Sequence, residues 1–257
     1  MSGRVIFIGA GPGAADLITL RGARLLALAD VVLFDALTDH ALKEFAPRAR
    51  WLHVGKRGFC DSTGQATINA LLVKHALEGG TVVRLKGGDP SVFGRLEEEL
   101  EALAQAGIPC EVVPGVTAAV AAAAQAQRPL TRRGTGRSVS LATAMTRSGD
   151  LNATRTADTE VFYMAGKQLA ALSRQLVDAG WPAETPVSLV SRAGWPDAVH
   201  SDHTVQTLAQ ASVLHAGQPT IVTVGAGACT LTTAQASMPS AQVETLKPLK
   251  SAVSPKS

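Results

Sequence analysis

The segment 82–95, which reads VVRLKGGDPSVFGR, constrains the fold more than any other stretch of this chain. Its apolar start predicts the end of a buried strand, and the pair Gly87-Gly88 then permits backbone conformations that a Cβ would forbid. Pro90 fixes its own φ, removes a hydrogen-bond donor and biases Asp89 towards extended geometry. In an open α/β sheet, ligands bind just outside the carboxyl ends of the strands. The segment therefore predicts either a ligand-binding loop with one carboxylate at its tip or an ordinary strand-to-helix turn.

Strands that end in special turns recur through the first half of the chain. Short apolar runs predict further strands at residues 4–8, 31–34, 50–54 and 108–113. Segments with helical spacing lie between the strands, at residues 20–28, 37–47, 65–77, 96–105 and 118–126. The acidic side chains of the segment 96–105 are expected to face solvent. This alternation of strands and helices predicts an α/β fold with a parallel sheet.

Residues 128–137, RPLTRRGTGR, interrupt this pattern. We interpret them as a linker whose arginines either face solvent or close over an acidic ligand. Beyond the linker, strands are predicted at residues 139–143, 161–164, 187–190 and 220–224, with helices at 169–179 and 205–215. The chain is therefore predicted to form an N-terminal α/β domain over residues 1–130 and a C-terminal α/β domain over residues 131–237. Residues 238–257 are predicted to be a polar, mobile tail.

Composition and charge exclude several classes of protein. A net charge of +3 is too small by itself to argue for a nucleic-acid partner. The three cysteines, Cys60, Cys110 and Cys229, are far apart in the sequence and suggest neither a metal site nor a disulfide framework. No apolar run approaches the roughly 18 residues that a membrane span needs, so we predict a cytoplasmic protein with no membrane partner.

The opening loop fits the loose dinucleotide-binding fingerprint, which is one alternative for its function. Gly9, Gly11 and Ala14 have the required spacing, and Asp35 lies about where a ribose-binding acid would. A pyrophosphate site needs the helix to begin at the glycines, because the helix N-terminus binds the anion. Here the predicted N-cap is Thr19, several residues further along, which argues against a nicotinamide cofactor.

Five motifs, in this order and spacing, resemble those of the uroporphyrinogen-III C-methyltransferases in the tetrapyrrole methylase family. They are VIFIGAGPGAADLITLRGARLLALADVVLFDALT, VGKRG, VVRLKGGDPSVFGR, GIPCEVVPGVTAA and PLTRR, and the similarity runs over about residues 4–225. The resemblance implies two α/β domains with a deep cleft between them, in a homodimer. It also implies that S-adenosyl-L-methionine donates two methyl groups to the tetrapyrrole, giving precorrin-2, the precursor of sirohaem and cobalamin.

The resemblance also assigns roles to particular residues. The implied methyl-donor contacts are Pro12, Gly87, Gly88, Asp89, Val92, Thr117, Ala118, Met164 and Ala193. Asp35 and Lys56 match the positions of the family's proton acceptor and proton donor. Because methylation of the ring system must be accompanied by loss of a proton, a positioned base is chemically reasonable. A strand-end cap remains the alternative for Asp35, and a carboxylate clamp remains the alternative for Lys56.

A substrate with eight carboxylates needs several cations in its pocket. The candidates near the predicted cleft are Lys56, Arg57, Arg84, Arg95, Arg132, Arg133 and Arg137. Arginine suits this task because its planar fork meets a carboxylate with two parallel hydrogen bonds. Among them we predict Arg57, Arg132 and Arg133 as substrate-binding residues, since they lie in glycine-flanked or linker turns.

The chain departs from the family pattern at two places. Leu96-Glu97 stands where members commonly have Gly-Gly, and Thr143-Ala144-Met145 stands where they commonly have a TGH motif. A methyltransferase acting on a later corrin intermediate is therefore the first alternative, and a dinucleotide-dependent oxidoreductase is the second. The third is a nucleic-acid binder that uses residues 128–137, which the low content of aromatic residues for base stacking disfavours.

Overall fold

The computed structural model describes residues 3–55, 64–143 and 153–231 of the chain. In these ranges the chain forms two five-stranded sheets, one in each half of the sequence. Within the described ranges, no helix is long and apolar enough to cross a membrane. Lys56, Arg57, Cys60, Ala144-Met145 and the predicted tail 238–257 lie outside the described residues. The domain boundaries at residues 130 and 237 stay predictions.

The first sheet is entirely parallel, which confirms the predicted α/β fold. Its strands are β1 (Arg4–Gly9), β2 (Val31–Phe34), β3 (Arg50–His53), β4 (Thr81–Lys86) and β5 (Cys110–Val113). They lie in the order β3-β2-β4-β1-β5, so that β4 and β1 occupy interior positions of the sheet. All five strands therefore end at one edge, and the loops that follow them gather there.

Helices cover both faces of this sheet. They are α1 (Leu20–Leu26), α2 (Gln65–Leu77), α3 (Leu96–Gln105) and α4 (Ala118–Gln125), with 3₁₀ turns at Ala15–Leu17 and His40–Phe45. The hydroxyl of Thr19 accepts a hydrogen bond of 3.0 Å from the Gly22 amide, so it caps α1 as predicted. The helix predicted at 37–47 is only the 3₁₀ turn His40–Phe45, because Asp39 caps a segment that Pro47 soon ends.

The second sheet is mixed. Its strands are β6 (Val139–Thr143), β7 (Thr159–Tyr163), β8 (Pro186–Ser191), β9 (Val199–Thr204) and β10 (Thr220–Gly225), in the order β6-β7-β10-β8-β9. β6 and β7 pair in parallel, whereas the other three pairs are antiparallel. Consequently β6, β7 and β8 all end at one edge of the sheet. Helix α5 (Leu169–Asp178) and 3₁₀ turns at Leu208–Ser212 and Ala226–Ala228 complete this half.

The second half differs from the prediction in two places. The edge strand β9 was not predicted, because its sequence VHSDHT is polar and lacks an apolar run. The helix predicted at 205–215 is only the 3₁₀ turn Leu208–Ser212. Side-chain hydrogen bonds compete with a helix here, since the Thr207 hydroxyl accepts a bond of 2.9 Å from the Thr204 amide.

An apolar cluster joins the two halves. It contains Ala119 and Ala122 of α4 together with Val161, Tyr163 and Ile221 of the second sheet, all of them buried. The alanine-rich face of α4 therefore packs on the second sheet, as short side chains allow two elements to approach closely. This contact places the end of β7 beside the loop that follows β5.

Candidate active site

Loops from the carboxyl edge of the first sheet meet backbone to backbone. The Gly88 amide donates to the Gly11 carbonyl at 2.7 Å, and the Gly11 amide donates to the Gly88 carbonyl at 3.3 Å. Both glycines have positive φ, of 79° at Gly11 and 72° at Gly88, a conformation that a Cβ makes costly. The loops after β1 and β4 are thus joined by a two-bond bridge that depends on glycine.

A third loop closes against this bridge. A Cβ added to Gly115, in the loop after β5, would lie 2.4 Å from the Gly88 carbonyl oxygen, and one added to Gly9 would lie 2.6 Å from the Gly115 Cα. By contrast, the nearest heavy atom to a Cβ added to Gly88 is the Val116 carbonyl oxygen at 4.0 Å. The three loops therefore form a glycine-lined cradle with open space beside Gly88.

Asp89 connects the loop after β4 to the loop after β5. Its Oδ2 accepts a hydrogen bond of 2.8 Å from the Gly115 amide, and its Oδ1 accepts one of 2.8 Å from the Ser91 amide. Both carboxylate oxygens are therefore bonded to backbone within the protein. Direct contact between Asp89 and a methyl donor stays a prediction, and the structure adds a role in holding the cradle together.

The second half reaches the cradle through the loop after β8. The Ala14 amide donates to the Gly194 carbonyl at 3.0 Å, and a Cβ added to Gly13 would lie 2.5 Å from the Gly194 carbonyl carbon. Gln125, the last residue of α4, fixes the same loop, because its Oε1 accepts a hydrogen bond of 3.1 Å from the Gly194 amide. Pro12 and Ala193 are therefore brought to one place from opposite halves of the chain.

Tyr163 makes a second connection between the halves, and the sequence analysis missed it. Its hydroxyl lies 2.6 Å from the Thr117 Oγ1 and accepts a hydrogen bond of 3.3 Å from the Ala119 amide. The Phe93 ring packs against it with ring centroids 4.9 Å apart. A sequence signal existed, because this residue is the single tyrosine of the chain and lies in a predicted strand immediately before Met164.

Backbone strain is concentrated around the cradle. Phe93, Met164 and Arg192 have positive φ values of 51°, 58° and 53°, although none of them is glycine. Such conformations cost energy and cluster at ligand sites, where the surrounding structure holds them in place. The side chain of Met164 remains half exposed beside Tyr163.

The predicted donor contacts fall around this cradle. Those supplied by the first half are Pro12, Gly87, Gly88, Asp89, Val92, Thr117 and Ala118, and those supplied by the second half are Met164 and Ala193. Three of them, Val92, Ala118 and Ala193, pack in the apolar cluster that joins the halves. The structure thus brings these residues together, while their contact with a donor stays a prediction.

Asp35 lies directly after β2, next to the loop of Gly87. Its Oδ1 accepts a hydrogen bond of 3.3 Å from the Gly87 amide, and its Oδ2 is 3.5 Å from the Arg84 Nη2. The side chain is 26% exposed, so a ligand can reach it. Its predicted partner Lys56 and the predicted substrate-binding Arg57 lie outside the described residues.

A buried group of charges lies behind Asp35. Glu99 is fully buried, accepts a hydrogen bond of 2.9 Å from the Arg84 Nε and is ion-paired with the Lys86 Nζ. The expectation that the acids of α3 face solvent is therefore wrong for Glu99. Burial lowers the pKa of Lys86, and the neighbouring Arg84 charge lowers it further, against the opposing effect of Glu99.

The linker arginines lie near the start of β7, at the opposite end of this strand from the cradle. The Leu130 carbonyl accepts a hydrogen bond of 2.9 Å from the hydroxyl of Thr159, the first residue of β7. Met164, by contrast, comes directly after the last residue of β7. β7 has five residues, so it separates these ends by about 15 Å at roughly 3.3 Å per residue. The Arg132 guanidinium donates to the carbonyls of Cys229 and Thr230, while Arg133 is exposed.

The structure therefore does not bring Arg132 or Arg133 together with Asp35 and the cradle. Their role in substrate binding stays a prediction, and this placement counts against a site that they share with Asp35 in one chain. Arg128 of the same linker is buried and forms a bidentate ion pair with Asp202. The linker thus does not present all its arginines as a basic surface for nucleic acid.

Two α/β halves joined at a glycine-lined cradle define a class of protein, and comparison with known sequences identifies it. The profile of the family described as Tetrapyrrole (Corrin/Porphyrin) Methylases matches residues 4–211. The chain belongs to this family, which confirms the resemblance found in its motifs. The dinucleotide-binding interpretation loses its support, because α1 begins only at Leu20, well beyond Gly11.

Relatives within the family match most of the chain. The uroporphyrinogen-III C-methyltransferase of Pseudomonas aeruginosa is 45% identical over 197 residues, which are 75% of this chain and 80% of that protein. The siroheme synthase 1 of Pectobacterium atrosepticum is 46% identical over 212 residues, but this chain covers only 44% of its length.

Solved structures agree with the sequence matches. The uroporphyrin-III C-methyl transferase from Thermus thermophilus complexed with S-adenyl homocysteine is 35% identical, with a TM-score of 0.76 over 87% of this chain and 97% of that chain. A cobalt precorrin-4 methyltransferase is 29% identical, with a TM-score of 0.77 over 88% of this chain and 96% of that one.

Proposed function

We propose that this chain catalyses the S-adenosyl-L-methionine-dependent C-methylation of uroporphyrinogen III, with two methyl transfers that give precorrin-2. The observation that carries the proposal is the cradle, in which the Gly11–Gly88 bridge of the first half meets the Gly194 loop of the second. Family membership and the similarity to uroporphyrinogen-III C-methyltransferases support the choice of reaction. The product would serve sirohaem or cobalamin synthesis. The enzyme is proposed to be a cytoplasmic homodimer.

The residues of the cradle suit a donor with a polar tail and an apolar, planar base. Open space beside Gly88 lets a ligand approach the backbone, whose amides and carbonyls can bond its polar groups. Ala118, Met164 and Ala193 offer small or flexible apolar surface for the adenine. When bound, the donor supplies an electrophilic methyl group on a sulfonium, and the sulfur keeps the bonding pair.

Asp35 is proposed as the proton acceptor of the reaction. As the new carbon–carbon bond forms, the ring system has to lose a proton, and a carboxylate can take it. Asp35 is partly exposed, and it accepts a hydrogen bond from the amide of Gly87, the first residue of the loop after β4. It therefore lies beside the loop after β4, which is proposed to bind the donor. Lys56 is proposed as the proton donor from its match to the family motif.

A second function has one specific observation in its favour. The similarity to a cobalt precorrin-4 methyltransferase covers 88% of this chain. In addition, Leu96-Glu97 departs from the motif of the uroporphyrinogen-III C-methyltransferases. Leu96 packs into the core beside α2, so it begins α3 with an apolar contact where the family has glycine. Methylation of a later corrin intermediate is therefore the alternative to be tested in the same assay.

One assay decides between these functions. The purified protein is incubated with S-adenosyl-methionine carrying a labelled methyl group and with either uroporphyrinogen III or a precorrin-4-type corrin. We expect two labelled methyl groups per uroporphyrinogen III and a chlorin-like absorption spectrum, with no transfer to the corrin. Transfer to the corrin alone would establish the alternative, and transfer to neither would refute the proposal. Light scattering on the same preparation tests the proposed homodimer.

A further inference from the structure

Arg84 is a buried arginine whose three guanidinium nitrogens all meet partners. Its Nε donates to Glu99 at 2.9 Å, and its Nη1 donates to the Leu85 carbonyl at 3.0 Å and the Leu33 carbonyl at 3.4 Å. Its Nη2 faces the Oδ2 of Asp35 at 3.5 Å. The guanidinium is therefore fixed in its plane by β2, β4 and α3, and it directs one edge at Asp35.

Glu99 is the anchor of this arrangement. It forms ion pairs with both Arg84 and Lys86, and both cations are almost completely buried. Without Glu99, two cations would lie in a region of low dielectric with no buried carboxylate between them. Glu99 thus holds the Nε edge of the Arg84 guanidinium in place.

Asp35 is held on both oxygens by the end of β4. One oxygen accepts from the Gly87 amide and the other faces Arg84. Arg84 lies on β4 and Gly87 follows its last residue, so both contacts come from one short segment and favour one orientation of the carboxylate relative to the loop after β4. A side chain with two free torsions would otherwise sample several rotamers.

We propose that Arg84, anchored by Glu99, is a positioning residue that orients Asp35 for proton transfer. This inference rests on the proposed function, in which Asp35 is the proton acceptor. The orientation of a catalytic group matters because a displacement of about 1 Å can cost a hundredfold in rate. Arg84 itself is buried behind Asp35, so we expect its effect to pass through Asp35.

The test replaces Arg84 by lysine and uses Arg128 as the matched control. Arg84→Lys keeps the charge but loses the planar fork, so one ammonium cannot serve Glu99 and Asp35 together. Arg128→Lys makes the same change in a buried arginine that pairs with Asp202, far from Asp35. Glu99→Asp, which keeps the charge and shortens the anchor by one methylene, replaces Arg84→Lys if that variant does not fold.

Two readouts are measured on each folded variant. The first is kcat for methyl transfer per donor-binding site, together with the KM for the tetrapyrrole and the affinity for S-adenosyl-homocysteine. The second is the hydrogen-exchange rate of the Gly87 amide by NMR, which reports the orientation of Asp35 without any turnover. We expect Arg84→Lys to lower kcat about ten- to a hundredfold, with smaller changes in KM and donor affinity. Exchange at Gly87 should be faster.

The outcomes separate this inference from the proposed function. Unchanged kcat and unchanged Gly87 exchange in Arg84→Lys overturn it. So does an equal loss of kcat in Arg128→Lys, which would make both pairs merely structural. If the wild-type protein transfers no methyl group, the proposed function fails, and Gly87 exchange alone then decides whether Arg84 orients Asp35.

Discussion

Asp89 is a predicted donor contact whose carboxylate also joins two loops of the fold. Its two oxygens accept the amides of Gly115 and Ser91, both at 2.8 Å. Hydrogen bonds to a charged group contribute about 1.5–3 kcal/mol each, so removing both gives an upper limit of about 3–6 kcal/mol. Because Asp89 is partly exposed, water replaces part of this loss. We expect Asp89→Ala to lower the free energy of unfolding by about 2–3 kcal/mol.

The same change should weaken donor binding. Without the carboxylate, the loop after β4 is no longer held to the Gly115 amide, and the open space beside Gly88 loses its fixed shape. We expect an affinity for S-adenosyl-homocysteine at least about tenfold lower, which corresponds to about 1.4 kcal/mol. Calorimetric titration measures the affinity, and urea denaturation measures the stability. Asp178→Asn, at an exposed position at the end of α5, is the control.

The two measurements together separate two roles for Asp89. Loss of affinity with wild-type stability would mean that Asp89 acts through direct contact with the donor. Loss of both would mean that it acts by joining the loops. A folded Asp89→Ala variant with wild-type affinity would refute both explanations, and the donor would then have to bind elsewhere.

Four further predictions test the rest of the site. S-adenosyl-homocysteine should raise the melting temperature while NAD and NADP leave it unchanged, because a ligand that binds only the native state stabilises it; a shift with NAD alone would reverse the assignment. Asp35→Asn should slow turnover about a hundredfold with donor binding retained, and Lys56→Met should slow it similarly or raise the tetrapyrrole KM. Full activity in both variants would leave these residues only a structural role. Joint replacement of Arg132 and Arg133 by alanine should raise the tetrapyrrole KM and flatten its salt dependence if they bind the substrate as predicted; a wild-type KM at both low and high salt would show that they do not hold it. Burial lowers the pKa of His215, with help from two neighbouring histidines, so the unfolded chain takes up a proton first and the free energy of unfolding should fall as pH drops below about 6.5. Equal stability in urea at pH 7.5 and pH 5.5 would contradict this pKa shift.

The first half of the fold could be predicted closely because its physics is local. Parallel strands that are buried on both faces have continuous apolar sequences, and here each ends in a recognisable turn. The predicted strand at residues 4–8 and the observed β1 (Arg4–Gly9) differ by one residue. The second half was harder, since an antiparallel edge strand such as β9 needs no apolar run and is fixed by its pairing with β8.

The buried charges behind Asp35 could be predicted from the sequence only in part. Arg84 and Lys86 lie two positions apart on a strand, so they share a face. Two cations on one face of a buried strand need an acidic partner, and this signal was present in the sequence. Which of the acids of α3 supplies it could not be predicted, because periodicity gives the face of a helix only after its neighbours are known. The structure selects Glu99.

Strand β4 emerges as the element that fixes the geometry of the proposed reaction. Arg84 of β4 and Gly87 just after it contact Asp35, and the next residue, Gly88, forms the bridge to Gly11. A methyl group and a proton acceptor have to meet the same ring at a set separation, and this separation is difficult to maintain between independent loops. Because Asp35 follows β2 but contacts Arg84 and Gly87, a small displacement of β4 is expected to move this carboxylate together with the loop after β4. A substitution that shifts β4 as a whole should therefore change kcat and donor affinity by similar factors. One that frees only Asp35 should lower kcat and leave donor affinity unchanged.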